Sequence, residues 1–325
     1  MKIMKASVEL MDRGPAESRA EFIERCGRVC YKSEDRIGPG TAEAFVRCII
    51  HSRHESVLEH AWVTWLMGID RLTKLGGDLA LRWLPKFFTV TAIDRLAGLW
   101  VVSANIRALR DLLRFAPWAI PAGNLLPPED EILLFGLPEA PFKQSNVVRP
   151  VDLIASPNTR PEHRAAHLRQ TVRFVVDRGV SHELVRHRVL SFSQESTRYC
   201  DYDGGLSVVL PLWLADDLSP GEIDDIPSGI SGGARQWLDQ TLASESAYSD
   251  LRARGWSPQE ARSVLPHSTK TEVVATGTIA QWREFLRLRE ASAAHSQMRE
   301  VALPLGDLLR RRYTAEFAVL DEKEA

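Results

Sequence analysis

Nine of the eighteen prolines, Pro117, Pro121, Pro127, Pro128, Pro138, Pro141, Pro150, Pro157 and Pro161, fall in one stretch of the chain. Proline fixes φ and has no N–H to give to a helix or ladder, so long regular elements are not expected there, and periodic sequence must build the fold on either side. This stretch reads as a surface excursion: a lid, a subunit contact or a passive elaboration, which the sequence does not rank.

On the N-terminal side, residues 3 to 11 suit a strand, and Phe22, Ile23, Cys26, Val29 and Cys30 recur at helical spacing. A polar loop over Lys32 to Gly40 leads to a second amphipathic helix from Thr41 to His51. His54-Glu55-Ser56-Val57-Leu58-Glu59-His60 then precedes Ala61 to Ile69, whose tryptophans and β-branched residues suit a strand buried on both faces. Two histidines and two glutamates there suit either a metal site or a polar helix-to-strand turn, and they lack the i,i+4 spacing of a metal-binding helix. Ile106, Leu109, Leu112 and Leu113 give one face of a helix over Ser103 to Phe115.

On the C-terminal side, Leu168, Val172, Val175 and Val176 suit a helix resuming by His163 and stopped by Gly179, after which Ser181 is the expected N-cap of a short helix with Glu183 in its first turn. Arg186, His187 and Arg188 crowd the end of that helix, and Ser191, Ser193, Ser196 and Arg198 follow in an expected loop. Such a turn is either a basic helix end on a solvated face or an anion site. Guanidinium forks with nearby hydroxyls, and no lysine among them, suit phosphate oxygens. Leu206 to Pro211 is a strand candidate, Asp216 to Gly233 a polar loop, and Trp237 to Leu251 an amphipathic helix closed by Gly255. Ser257-Pro258-Gln259-Glu260 is a capping box that opens a helix carrying Arg262. Thr278 opens another, whose Trp282, Phe285 and Leu286 share an inward face with Arg289. An inward arginine is a snorkelling side chain, a salt bridge or a functional group. Helices through Met298, Val301, Leu305, Leu308 and Leu309 suit packing and assembly, and no internal repeat is evident.

At 325 residues and 44% hydrophobic the chain supports a large core as a soluble protein, and a net charge of -2 gives no general field for nucleic acid, so a small-molecule partner is expected. The N-terminus lacks the apolar core of a signal peptide and no apolar run approaches a membrane span, making cytoplasm the expected location, with no membrane partner. Cys26, Cys30, Cys48 and Cys200 have no Cys-x-x-Cys spacing and are expected as reduced, mostly buried thiols.

The order Arg186-His187-Arg188, Ser191, Ser196, Arg198-Tyr199 resembles the Arg-His-Arg-x-x-Ser-(x)4-Ser-x-Arg-Tyr motif of flavin-dependent thymidylate synthases. His54-x-Ser56-x-x-Glu59-His60, Cys30-Tyr31-x-Ser33 and Ala261-Arg262-x-x-Leu265-Pro266 are similar to segments of the same family, and the resemblance covers roughly residues 25 to 70 and 170 to 305. It implies an α+β fold with a mixed sheet, one domain over 1–325 with an insertion at about 71–161, and a homotetramer with sites between subunits. The reaction implied is reductive methylation of dUMP to dTMP, with methylenetetrahydrofolate giving the carbon, FAD the hydride and NADPH the reducing equivalents. By position, Glu183, Arg186, Gln194, Ser196, Arg198, Arg262 and Arg289 are the implied dUMP contacts, with Arg289 polarising the uracil ring. His54, Ser56, Arg186, His187, Arg188 and Thr278 are the implied FAD contacts, and no metal is implied. Ser193-Gln194 stands where Asn-Glu is usual, Thr278 and Glu284 replace asparagines and Ala280 an arginine, departures that bear on the adenine side of the flavin. A conventional Rossmann fingerprint is absent. No cysteine follows a proline as in the cysteine-dependent synthases, and Asp201 is expected to raise the Cys200 pKa. A non-catalytic nucleotide or RNA binder would use the same arginines without flavin, and a nucleotidyl transferase would want carboxylates for magnesium.

Overall fold

The computed structural model describes residues 1–68, 88–94, 99–115, 126, 128–137, 149–150, 159–224 and 227–322. The expected first strand is two strands, β1 (Lys2–Met4) and β2 (Ser7–Met11), followed by helices α1 (Arg19–Arg28) and α2 (Thr41–His51). A 3₁₀ turn over Glu55–His60 leads into β3 (Trp62–Gly68). In β3, Val63 and Trp65 are buried while Trp62, Thr64 and Leu66 are half-buried, so the strand alternates and is not buried on both faces. Then come β4 (Phe88–Asp94), β5 (Leu99–Asn105), α3 (Ile106–Phe115) and β6 (Arg149–Pro150). The expected helix from Ser103 therefore starts only at Ile106, because Ser103 to Asn105 complete the ladder opposite Thr64 to Trp62.

Next follow α4 (Pro161–His167), β7 (Arg169–Asp177), α5 (Arg178–Leu184), β8 (Ser191–Gln194), β9 (Ser207–Val209) and β10 (Gly221–Glu222). The chain ends with α6 (Gly232–Ala253), α7 (Pro258–Ala261), β11 (Lys270–Thr278), α8 (Ile279–Arg289), α9 (Ser296–Arg312) and α10 (Thr314–Glu322). The helix expected through Leu168 to Val176 is mostly strand. Its apolar spacing fits a helix by coincidence, whereas Thr171, Val172, Phe174, Val175 and Val176 are strand formers and lie in a central ladder. Ser191 and Ser193 likewise sit in β8, not in a loop.

Among the described residues three sheets run in the orders β10-β1-β9, β2-β7-β11-β8 and β4-β5-β3-β6. Among the described strands only β1 and β9 pair in parallel, so the first sheet is mixed and the other two are antiparallel, and with the helices the described residues are α+β. The second sheet packs Val172, Phe174 and Val176 against Trp282, Phe285, Met298 and Leu305. Trp282 is fully buried, and its Nε1–H donates to the Gln170 carbonyl at 2.9 Å, so the side chain keeps its polar atom paired. Truncating it would cost about 3–5 kcal/mol. The third sheet has its own core, including Val46, Ile49, Leu58, Trp65, Ile106 and Leu109.

Contrary to the reading of no repeat, the second and third sheets share one strand order. In each, a strand (β3 or β7) is followed by one (β4 or β8) that pairs with a third (β5 or β11), which inserts antiparallel between them and runs directly into a helix (α3 or α8). The registers match as well: Trp62 faces Asn105 as Arg169 faces Thr278. Within the expected excursion, Asp130 is buried on Arg19 at 2.7 Å and Leu133 is fully buried while Glu129 and Phe135 are exposed, so part of the described stretch packs against the core, and Pro117, Pro121, Pro127, Pro138, Pro141 and Pro157 lie outside the described residues.

Candidate functional site

Helix α5 begins one turn earlier than the sequence suggests. Asp177 is its N-cap, accepting the Val180 N–H at 2.7 Å, and Gly179 and Ser181 lie inside the helix. Ser181 is buried, its hydroxyl donating to the Arg178 carbonyl at 2.8 Å and accepting from Gln194 Nε2 at 2.9 Å. After Leu184 the backbone turns through Arg186 and Arg188, both exposed and, among the described residues, without a side-chain partner. Gly277, at the end of β11, lies against this turn: a Cβ there would come within 2.2 Å of Leu190 Cδ2, so glycine permits the close approach.

Arg289 reaches the same turn from α8. Its Nη1 donates to Glu183 Oε2 at 2.8 Å, its Nη2 to the Glu183 carbonyl at 3.1 Å and its Nε to His187 Nε2 at 2.8 Å. His187 must therefore be neutral with its proton on Nδ1. Burial, with the Arg289 charge, lowers its pKa to about 4, and Phe285 meets the ring edge-on at 4.7 Å. The inward arginine is thus in an ion pair, and its fork is fixed at three points. Beside it, Glu183 lines a cleft of about 460 Å³ that also presents Trp213, Trp237, His267 and His295.

Beyond β8, Ser196 donates its N–H to the Cys30 carbonyl at 2.9 Å, Tyr31 and Tyr199 lie 5.4 Å apart, and the Tyr31 hydroxyl meets His54 Nδ1 at 3.1 Å. The structure therefore gathers His54 with Ser196, Arg198 and Tyr199, and Arg262 joins them by donating to Thr197 at 3.2 Å. His54, Ser56, Arg198 and Arg262 are exposed. Thr278 is buried as the N-cap of α8, its hydroxyl accepting the Gln281 N–H at 2.9 Å. Its hydroxyl proton is the group left for any other contact.

Sequence reasoning missed the charge network behind Ser196. Buried Glu195 accepts from Tyr202 at 2.8 Å and pairs with Lys270 at 3.0 Å and Lys32 at 3.2 Å, while Lys270 also meets Glu272, which holds Arg173. Burial opposes the Lys270 charge, but the two glutamates outweigh it and raise its pKa. Burial likewise opposes the Glu272 charge, and Lys270 and Arg173 outweigh it and lower its pKa. Alternating charges at Lys270 and Glu272 were the available signal, obscured because both lie on a fully buried strand. Cys26 and Cys200 are buried, Cys30 half-buried and Cys48 exposed. The Cys200 pKa is raised to about 11, by burial and then Glu195; Asp201, expected to do this, pairs with Arg252 at 2.7 Å instead.

The segment before β3 docks on this region. Glu59 Oε2 accepts from Ser191 at 2.8 Å, and buried His60 bonds Thr276 through Nδ1 at 2.8 Å and Ser193 through Nε2 at 2.9 Å. Burial lowers the His60 pKa to about 3, making it a neutral bridge between elements. Glu55 is held by Arg110 and Arg114. Among the described residues, no group of three or more His, Cys, Asp or Glu side chains is placed to hold a metal ion.

A turn with two exposed arginines between a helix and a strand, with a fixed guanidinium behind it, is the kind of cationic surface that suits an anion. Residues 158–313 match the family described as thymidylate synthase complementing protein. The protein named flavin-dependent thymidylate synthase of Mycobacterium avium (strain 104) is 34% identical over 141 residues, 42% of this chain and 54% of that one. Those of the same name from Mycobacterium tuberculosis (strain ATCC 25618 / H37Rv) and Mycobacterium marinum (strain ATCC BAA-535 / M) are 33% identical over 133 residues, 39% of this chain and 52% of each. The chain thus spans about half the length of the curated relatives it matches.

Proposed function

We propose that this protein is a flavin-dependent thymidylate synthase, converting dUMP to dTMP with methylenetetrahydrofolate as carbon donor, NADPH as reductant and FAD as bound cofactor. The observation that carries the reading is the exposed pair Arg186 and Arg188, unpaired among the described residues, in a turn that lies within the family match. Exposed guanidinium groups with hydroxyls nearby suit the phosphates of a nucleotide or dinucleotide, so the residues present fit FAD. Arg186, His187 and Arg188, with His54, Ser56 and Thr278, would hold it. Bound there, FAD supplies the hydride.

The chain's own residues then bind and polarise. Arg186, Ser196, Arg198 and Arg262 would take the dUMP phosphate, and Glu183 and Gln194 would orient the nucleoside. Arg289 is already locked by Glu183 and His187, so its charge needs no reorganisation to stabilise an anionic uracil ring and make C5 nucleophilic. No thiolate is required, in keeping with a buried Cys200 whose pKa is raised. The same reading makes the protein a cytoplasmic homotetramer with sites shared between copies, in a single domain interrupted within 71–161. Purified protein absorbing near roughly 450 nm, where oxidised flavins absorb, and forming dTMP is the expected result. A colourless protein that cannot be reconstituted with FAD would overturn it in favour of a non-catalytic nucleotide or RNA binder.

A further inference from the structure

The second and third sheets belong to two matching units, and side chains at matching positions interlock. His60 and His167 each stand two residues before the first strand of a unit. His60 reaches into the second unit, to Thr276 on β11 and Ser193 on β8. His167 reaches into the first, to Ser103 on β5 at 2.7 Å and Thr91 on β4 at 2.8 Å. By ladder register Thr276 corresponds to Ser103, and Ser193 to Thr91. Thr171 meets Thr276 at 2.7 Å as Thr64 meets Ser103 at 2.8 Å. Arg169 stacks on Trp62 at 3.8 Å, and these two positions also correspond, so they mark the axis relating the units. After β5 and β11 the helices carry Arg110-Asp111-Leu112-Leu113-Arg114 and Arg283-Glu284-Phe285-Leu286-Arg287 at matching places.

The cations are distributed unequally. Ahead of β8 stands Arg186-His187-Arg188, whereas the matching sequence ahead of β4 is Leu84-Pro85-Lys86. At the start of the helix after the third strand, the first unit has Arg107 and the second has Ala280. Glu59 ties this arginine to the cluster's strand. Its Oε1 accepts from Arg107 Nη1 at 2.7 Å while its Oε2 accepts from Ser191 at 2.8 Å, and Ser191 follows Arg188 by three residues. Glu59 is 9% exposed in its side chain and Arg107 40%, so the carboxylate is a buried strut; Asp111 faces the Arg107 Nε at 3.9 Å, and the rest of the guanidinium keeps donors in solvent.

We infer that Arg107 is a binding residue of the arginine-cluster site, given by the first unit to the second, and that it takes a phosphate oxygen of the dinucleotide. Internal pairing thus lets one chain build from two units a cationic site that neither completes alone. The inference rests on the proposed function for the identity of the ligand.

The experiment measures FAD dissociation constants by quenching of flavin fluorescence, with melting temperature on the same preparations, for Arg107→Ala, Arg107→Lys and Arg188→Ala. Loss of one charge-assisted hydrogen bond should weaken FAD about tenfold to a hundredfold in Arg107→Ala, with lysine recovering part of it and the melting temperature nearly unchanged. Ion pairing with Glu59 and Asp111 alone would leave FAD binding intact. FAD binding of Arg107→Ala equal to wild type, while Arg188→Ala loses it, overturns this inference and leaves the proposed function standing. Unchanged binding in both variants removes the phosphate site itself. Should Arg107→Ala lower the melting temperature, Arg107→Gln keeps most of the stem, and wild-type binding in that folded variant would equally overturn the inference.

Discussion

The two units differ least where they touch and most in the cations their sequences carry ahead of β4 and β8. At their interface the pattern repeats residue for residue, with a neutral histidine, two hydroxyls on neighbouring strands and a threonine beside them, once around His60 and once around His167. Both histidines are driven to a pKa of about 3, His60 by burial alone and His167 by burial with help from Arg169. In sequence, Arg186 and Arg188 stand where the first unit has Leu84 and Lys86, which lie outside the described residues. A buried polar pair must stay satisfied in both units or cost about 1–3 kcal/mol per orphaned group, whereas an exposed turn is free to change its charge. That asymmetry of constraint accounts for a frame retained twice and one arginine cluster.

The sharpest way to break the comparison is to equalise the turns. Replacing Arg186 and Arg188 together by alanine should weaken FAD or dUMP binding by more than about 100-fold, since two charge-assisted contacts are lost, while Lys86→Ala should leave binding near wild type. Titration by fluorescence or calorimetry would decide, and equal losses would mean that the units contribute alike. Next, Arg289→Ala should lower turnover by about 100-fold, the scale of removing one preorganised donor, and Arg289→Lys should remain impaired because a point charge cannot replace the fork held by Glu183 and His187. Near-normal turnover in a stable, flavin-loaded Arg289→Ala would reduce this residue to a structural ion pair.

The interface itself is tested by acid. Both histidines are neutral when folded but bind protons near their ordinary pKa once unfolded, so the unfolded state takes up more protons and stability falls as pH drops below about 6.5, continuing toward the folded value. Each should contribute roughly 2 kcal/mol of loss between about pH 6.5 and 4.5. Melting temperatures of His60→Gln and His167→Gln against pH should both run flatter than wild type, and a change in only one would make the symmetry geometric rather than energetic. The smallest effect is expected at Cys200→Ala, where a small buried thiol is lost at modest cost and dTMP formation persists. A folded, flavin-loaded but inactive Cys200→Ala would restore a thiolate mechanism.

Elements with local signatures were legible in the sequence. Helix α2 has the expected bounds, the capping box at Ser257 is formed, Thr278 opens α8 as expected, and Arg289 lies on the inward face of α8. Elements defined by distant partners were not. Strand β7 is a strand because β2 and β11 flank it, and its spacing alone admits a helix. Strand β11 is buried at every position, so no alternation announces it, and Lys270 and Glu272 disguise it further. The repeat escaped notice because its connections differ in length and its shared positions are single hydroxyls and histidines. Of the candidate site, the motif's residues stand out in the sequence as expectations, whereas the tie of Arg107 to Glu59 and of Glu59 to Ser191 is visible only in three dimensions.

The placement of β11 between β7 and β8 also bears on how the polypeptide emerges from the ribosome. The last strand of that sheet to be synthesised is a central one, so β7 and β8 must leave the exit tunnel with facing edges open until residues 270–278 arrive. The first unit's three consecutive strands are complete by Asn105, and its Ser103 and Thr91 then await His167. A nascent chain can therefore dock the second unit onto a finished template, and truncation anywhere between β8 and β11 should yield a species with one folded unit and a pair of sticky edges.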